Sequence, residues 1–137
     1  HTGETLSVVY CERGCYRREA LAEIDTFLRD FRTGEVRAID PCLLDLLHDL
    51  SVVTGTRKPF QVISGYRSPR TNAMLRERGP GVAARSLHTV GKAIDVRLGD
   101  VPTRTLHDAA LRLRRGGVGY YPGPDFVHVD TGRIRSW

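Results

Sequence analysis

Two short segments, AIDV at 93–96 and FVHVD at 126–130, place the tightest constraint on how this 137-residue chain can fold. A strand sends successive side chains to opposite faces. In the first segment Ile94 and Val96 share one face and Asp95 takes the other; in the second, Val127 and Val129 share a face, while Phe126, His128 and Asp130 take the other. Each strand therefore needs an apolar layer on one side and offers carboxylate and imidazole groups on the other. His88 lies seven residues before Asp95, across a loop that bends at Gly91. His88, Asp95 and His128 form a candidate set of three ligands that leaves a fourth position for water, the pattern of a catalytic zinc site. Neutral imidazole and carboxylate suit zinc better than magnesium. A lone histidine on an apolar strand is more often a satisfied core residue, so spacing alone only suggests the metal reading, and the joint pattern strengthens it.

The rest of the chain supplies the covering layer. The opening HTGETLSVVYCERGCY reads as a hairpin around ERG, with alternation in LSVVY. RREALAEIDTFLRDFRTG reads as an amphipathic helix, with Leu21, Ile24, Phe27, Leu28 and Phe31 at helical spacing and Gly34 as its stop. A second helix starts at Asp40 as N-cap with Pro41 in its first turn, and runs to about Thr54 before Gly55. His48 falls on its surface or core edge. PFQVISGY reads as a short buried strand, and SPRTNAMLRERG as a helix capped by Ser68 and ended by Gly79. GPGVAARS is a loop, and KAIDVRL a strand. PTRTLHDAALRLRRGG is a helix with Leu106, Ala109, Ala110 and Leu113 on one side and His107 exposed. VGYY, the turn PGPD and FVHVD close as a strand hairpin. Helices come first and strands mostly follow, with no regular β-α-β alternation. This order predicts an α+β fold with helices packed on a small antiparallel sheet, in a single domain over residues 1–137.

Charge and cysteine content narrow the function. The net charge of +5 comes from 21 basic and 16 acidic residues, and all the basic residues except Lys58 and Lys92 are arginine. Arginine forks suit carboxylates and phosphates, so the balance allows an anionic partner: nucleic acid, membrane surface or acidic cell-wall polymer. No helix-turn-helix, zinc finger or aromatic-basic RNA motif is present, which argues against a nucleic-acid partner. No apolar run approaches the roughly 18 residues of a membrane helix. The three cysteines, Cys11, Cys15 and Cys42, exclude a fully paired intrachain framework. Cys11 and Cys15 are open to plain packing, a local disulfide or a metal pair.

The stretches SGYRSPRTN, SLHTVGKAIDVRL, GGVGYYP and FVHVDTG, with the opening HTGE and the closing RIRSW, resemble the M15 group of metallopeptidases. They are most similar to its bacterial branch of the murein endopeptidase K type, over essentially the whole chain. The resemblance implies a zinc-binding α+β fold shared with D-alanyl-D-alanine dipeptidases and the hedgehog signalling domain. It places the motif S-x-H-x6-D on Ser86, His88 and Asp95, and the third zinc ligand on His128. It also implies cleavage of peptidoglycan stem peptides or cross-links, and export to the periplasm, with the signal segment not among these residues. Many M15 enzymes carry a glutamate general base three residues before the last ligand. Here that position is Asp125, one methylene shorter, and parity puts it on the far face unless the PGPD turn swings it back. Asp130, two residues after His128 and on its face, is the other candidate base. The resemblance gives Arg67 an electrostatic role beside the scissile carbonyl. Ser86 is expected either to bind substrate or to brace the ligand loop, and Tyr120 and Tyr121 either to wall the cleft or to join the core. The alternative function is a zinc-containing, non-catalytic module that binds peptidoglycan or protein. The bond cut, the choice between endo- and carboxypeptidase, and the oligomeric state are not specified by the residues.

Overall fold

The computed structural model describes residues 2–137; His1, which opens the HTGE stretch, lies outside them. The two constraining segments form the centre of the molecule. They are β4 (Ala93–Leu98) and β6 (Phe126–Asp130), paired antiparallel. β3 (Phe60–Ser64) flanks β4, β5 (Gly117–Tyr121) flanks β6, and β7 (Arg135–Ser136) lies outside β5, giving the order β3-β4-β6-β5-β7. Ile94, Val96, Val127 and Val129, each at most 1% exposed, face Leu43, Leu46 and Leu50 of α2 (Pro41–Thr54) and Leu106, Ala109 and Ala110 of α4 (Thr103–Leu113). Full burial of each such aliphatic side chain stabilises the fold by about 1.5–3 kcal/mol. This apolar contact decides which face of the sheet is free to carry chemistry.

The architecture is the expected α+β, with four α-helices among the described residues, but the sheet is mixed rather than antiparallel. β7 runs parallel to β5, pairing Gly117 with Arg135 and Val118 with Ser136. The reason is positional. Both edges of β6 are already occupied, by β4 and β5, so a chain that reverses after β6 reaches the free edge of β5 and runs alongside it in the same direction.

Two helices follow their sequence signals closely. α2 is capped by Asp40, whose carboxylate accepts from Cys42 N at 2.9 Å, and ends at Gly55 in the left-handed region. α3 (Pro69–Arg78) is capped by Ser68, whose Oγ accepts from Thr71 N. α1 (Arg18–Phe27) is shorter than its periodicity predicts. It stops at Leu28 instead of running to Gly34, and Phe31 is exposed. The carbonyl of Leu28 accepts from Tyr66 N at 2.8 Å, so a tertiary contact takes up this end of the helix. Asp30, 1% exposed, then accepts from Ser68 N and Arg32 N, tying the segment after α1 to the start of α3.

The opening hairpin is also reduced. Only β1 (Cys11–Glu12) and β2 (Cys15–Tyr16) pair, around Arg13 and Gly14, both at positive φ, and LSVVY forms no strand. Tyr10 and Tyr16 hold this region on α2 by donating their hydroxyls to the Asp45 carboxylate at 2.8 and 2.6 Å. All three cysteines are free and exposed. His107 is not exposed as expected: it is half-buried and stacks on Tyr120 at 4.7 Å between ring centres. No helix among the described residues is long and apolar enough to cross a membrane.

Candidate metal centre

The site is built on the polar face of β4 and β6 and on a 3₁₀ turn over Leu87–Val90 that precedes β4. Ser86 caps that turn, its Oγ accepting from His88 N at 3.2 Å. Gly91 ends the turn in the left-handed region, where a side chain would also collide with the carbonyl of Ala38. His88 donates Nδ1–H to the carbonyl of Gly65 at 2.8 Å, which turns Nε2 toward Asp95 Oδ1, 3.3 Å away. Asp95 and His128 are direct partners across the β4–β6 pair, and His128 Nδ1 lies 3.0 Å from the same Asp95 oxygen. On its other nitrogen, His128 donates Nε2–H to Asp130 Oδ2 at 2.8 Å.

Each imidazole therefore has one nitrogen fixed by an acceptor and the other directed at Asp95. The potential ligand atoms of His88, Asp95 and His128 lie within 4.8 Å of one another, and all three residues are buried. This donor set fits a divalent metal: two imidazole nitrogens with their tautomers set by outer partners, and one carboxylate. The charge balance agrees. Burial opposes ionisation of Asp95, but the adjoining His128 and His88 imidazoles outweigh it and hold the carboxyl well below the usual range.

Asp130 is wholly buried, and its oxygens are fully engaged. Besides His128, they accept from Gly117 N and Gly132 N, both at 2.9 Å, and from the two arms of the Arg135 guanidinium at 3.1 and 3.0 Å. Burial raises its pKa, but the His128 and Arg135 hydrogen bonds more than offset this, so Asp130 stays an anion. Asp130→Asn is expected to weaken metal binding by about 10–100-fold, the usual consequence of losing a carboxylate behind a ligating histidine. Competition with a chromophoric chelator, on protein whose circular dichroism is unchanged, measures this.

Arg135 and Trp137 reach across β5 because that strand presents glycine on the polar face. A Cβ at Gly117 would collide with the Arg135 guanidinium, and one at Gly119 would lie 2.7 Å from the Trp137 indole. The indole in turn packs on His128 at 4.9 Å and donates Nε1–H to the Tyr121 hydroxyl at 2.7 Å. Gly119→Ala is expected to push Trp137 off His128. Because the chain has one tryptophan, a shift in its fluorescence maximum reports the change directly.

An open cleft of about 480 Å³ lies over the three ligands. Arg67, Arg85, Ser86, Tyr121 and Trp137 line it together with the ligands, and among the described residues Asp95 is its only lining carboxylate. Arg67 makes two long hydrogen bonds, to Asn72 Oδ1 and Ser64 Oγ, both at 3.3 Å. Its Nε is, among the described residues, the one buried side-chain polar atom without a partner. Burial lowers the Arg67 pKa, with Asp95 acting in the opposite direction.

Of the other residues singled out in the sequence, Tyr120 faces α4 through its stack on His107 and does not line the cleft. Asp125 has positive φ, hydrogen-bonds with Thr103 Oγ1 at the start of α4, and lies outside the cleft lining. The structure adds Arg135, Trp137, Asn72 and Asp30 to the surroundings of the site. The first two lie in the closing RIRSW stretch that carries part of the resemblance, and the glycines of GGVG leave room for them.

A buried His–Asp–His set on the floor of an open cleft, carried by this α+β fold, defines a metallopeptidase of the M15 type. The chain belongs to the family described as peptidoglycan L,D-endopeptidase MepK, which it matches over residues 1–137. It is 47% identical to the peptidoglycan L,D-endopeptidase MepK of Escherichia coli strain K12 over 137 residues, all of this chain and 75% of that protein. It is 43% identical to the probable peptidoglycan L,D-endopeptidase MepK of Haemophilus influenzae over 138 residues, covering 100% of this chain and 74% of that protein. Among solved structures, the Serratia marcescens L-Ala D-Glu endopeptidase ChiX aligns with a TM-score of 0.51 at 20% identity, over 82% of this chain and 86% of that one, a likeness of fold.

Proposed function

We propose that this protein is a zinc-dependent endopeptidase of the bacterial cell wall that cleaves L,D peptide cross-links of peptidoglycan in the periplasm. The observation that carries this reading is the buried triad His88, Asp95 and His128, with both histidines oriented from behind, at the base of a cleft lined by arginine and aromatic side chains. Family membership and the MepK relatives support the substrate class. The donor set supports zinc over magnesium.

When bound, zinc polarises the scissile carbonyl and makes water a better nucleophile at neutral pH. The chain's own residues do the rest. Asp130, itself clamped by Arg135, fixes the His128 ring so that Nδ1 faces the centre. The carbonyl of Gly65 does the same for His88. Arg67 directs a half-buried positive charge at the cleft, where it stabilises negative charge developing on the carbonyl oxygen. Ser86 braces the turn that carries His88, and Tyr121 with Trp137 walls the cleft. Asp125 braces the β5–β6 turn against α4 and Asp130 orients His128, so the reading assigns the proton-accepting step to neither.

The test is metal analysis of the purified protein, paired with digestion of cross-linked muropeptides read by mass spectrometry. About one zinc per chain together with a new fragment cut at the L,D cross-link supports the hydrolase. One zinc with no cleavage of any cross-link would instead favour a module that recognises peptidoglycan without cutting it.

A further inference from the structure

Asn72 lies in α3, 2% exposed, and hydrogen-bonds to none of the three ligands, yet both ends of its amide are engaged with the cleft. Its Oδ1 accepts from Arg67 Nη1 at 3.3 Å. Its Nδ2 donates to the carbonyls of Ala83 at 2.9 Å and Ala84 at 3.5 Å. This pattern fixes the orientation of the amide: only the nitrogen can meet two carbonyls, and only the oxygen can meet a guanidinium. Ala83 and Arg85 line one side of the cleft and Arg67 another, so a single buried side chain joins the two.

The segment 79–85 depends on this tie. Among the described residues, the two bonds from Asn72 are the side-chain hydrogen bonds that reach it, and its own backbone closes only a local turn at 84–85. The segment carries Arg85, an exposed cation at the rim of a cleft whose other lining cations are Arg67 and Arg135. An anionic peptide lying along this rim is positioned by the segment, while its carbonyl is positioned against Arg67.

We infer that Asn72 is a positioning residue for substrate: it sets the 79–85 rim and the Arg67 guanidinium in one fixed relation, so that a peptide held by the rim presents its scissile carbonyl to Arg67. The inference rests on the hydrolase reading above. A small misplacement between binding surface and reacting group is enough to matter, since a shift of about 1 Å can cost on the order of 100-fold in rate.

Two substitutions separate the two arms. Asn72→Asp keeps an acceptor for Arg67 but sets a carboxylate against the carbonyls of Ala83 and Ala84, so only the rim is released. Asn72→Ala releases both. With a purified L,D-cross-linked muropeptide dimer, Asn72→Asp is expected to raise KM and to lower kcat by on the order of 10–100-fold, because a peptide on a displaced rim presents its carbonyl out of place and the new carboxylate pairs with Arg67. Asn72→Ala is expected to lower kcat as well. Zinc content stays at wild type in both, and limited trypsin digestion cuts after Arg85 faster than in the wild type.

Wild-type kinetics together with wild-type resistance at Arg85 in Asn72→Asp would overturn the inference. So would equal losses in both variants accompanied by loss of zinc, which would make Asn72 a general prop of the fold. A wild-type protein that cuts no cross-link, beside an Asn72→Asp variant that trypsin opens at Arg85, would overturn the hydrolase reading and leave the tie between Asn72 and the rim supported.

Discussion

His88→Ala is expected to lose stoichiometric zinc and to hydrolyse cross-linked muropeptides no faster than buffer does. Catalytic zinc sites hold the metal with three protein ligands, and this substitution leaves two, Asp95 and His128. The fold should persist. The apolar core lies on the opposite face of β4 and β6, and the hydrogen bond lost is the one to the Gly65 carbonyl, worth about 1 kcal/mol. Circular dichroism and thermal melting check the fold, and atomic emission checks the metal. Treating wild type with a chelator should reproduce the loss of activity, and added zinc should then restore the wild type but not the variant. Hydrolysis retained by a zinc-free His88→Ala protein would end the metal mechanism.

Arg67→Ala should show the second-largest effect, a fall in kcat of about 10²–10³ with zinc content unchanged. That range is the effect of removing one donor aimed at a developing oxyanion, about 2.7–4 kcal/mol of barrier. The structural loss is modest by comparison, because both hydrogen bonds of the guanidinium are long, at 3.3 Å. Arg67→Lys should not rescue the rate, since an ammonium carries one compact charge and not a planar fork. Steady-state kinetics with defined muropeptides separates this outcome from a simple surface role, in which kcat would remain near wild type.

What could be read from the sequence was whatever repeats at short range. Alternation in AIDV and FVHVD put the valines and isoleucine into the core and turned Asp95, His128 and Asp130 to the other side. Asp40-Pro41 and Ser68-Pro69 set the starts of α2 and α3, because caps act within a few residues. Features decided by distant partners were not legible. α1 ends early because Tyr66, far along the chain, takes the carbonyl of Leu28. β7 is too short to show a period, and its parallel pairing follows from which sheet edge remained free. The division of labour behind the ligands needed coordinates: Gly65, an unremarkable position in SGYR, orients His88 through its carbonyl, and Arg135 reaches Asp130 only because Gly117 has no side chain.

The direct pairing of Asp95 with His128 across β4 and β6 has a consequence for how such a scaffold can change. The separation of these two groups is set by the hydrogen-bonded ladder between the central strands, and the rim at 79–85 takes no part in it. Length and composition of the rim can therefore vary while the ladder keeps Asp95 and His128 in place and the Gly65 carbonyl holds His88. For an engineer this is a natural grafting point: segments exchanged between Arg78 and Ser86, with Asn72 kept to receive them, offer a route to new cross-link preferences on an unaltered metal-binding frame.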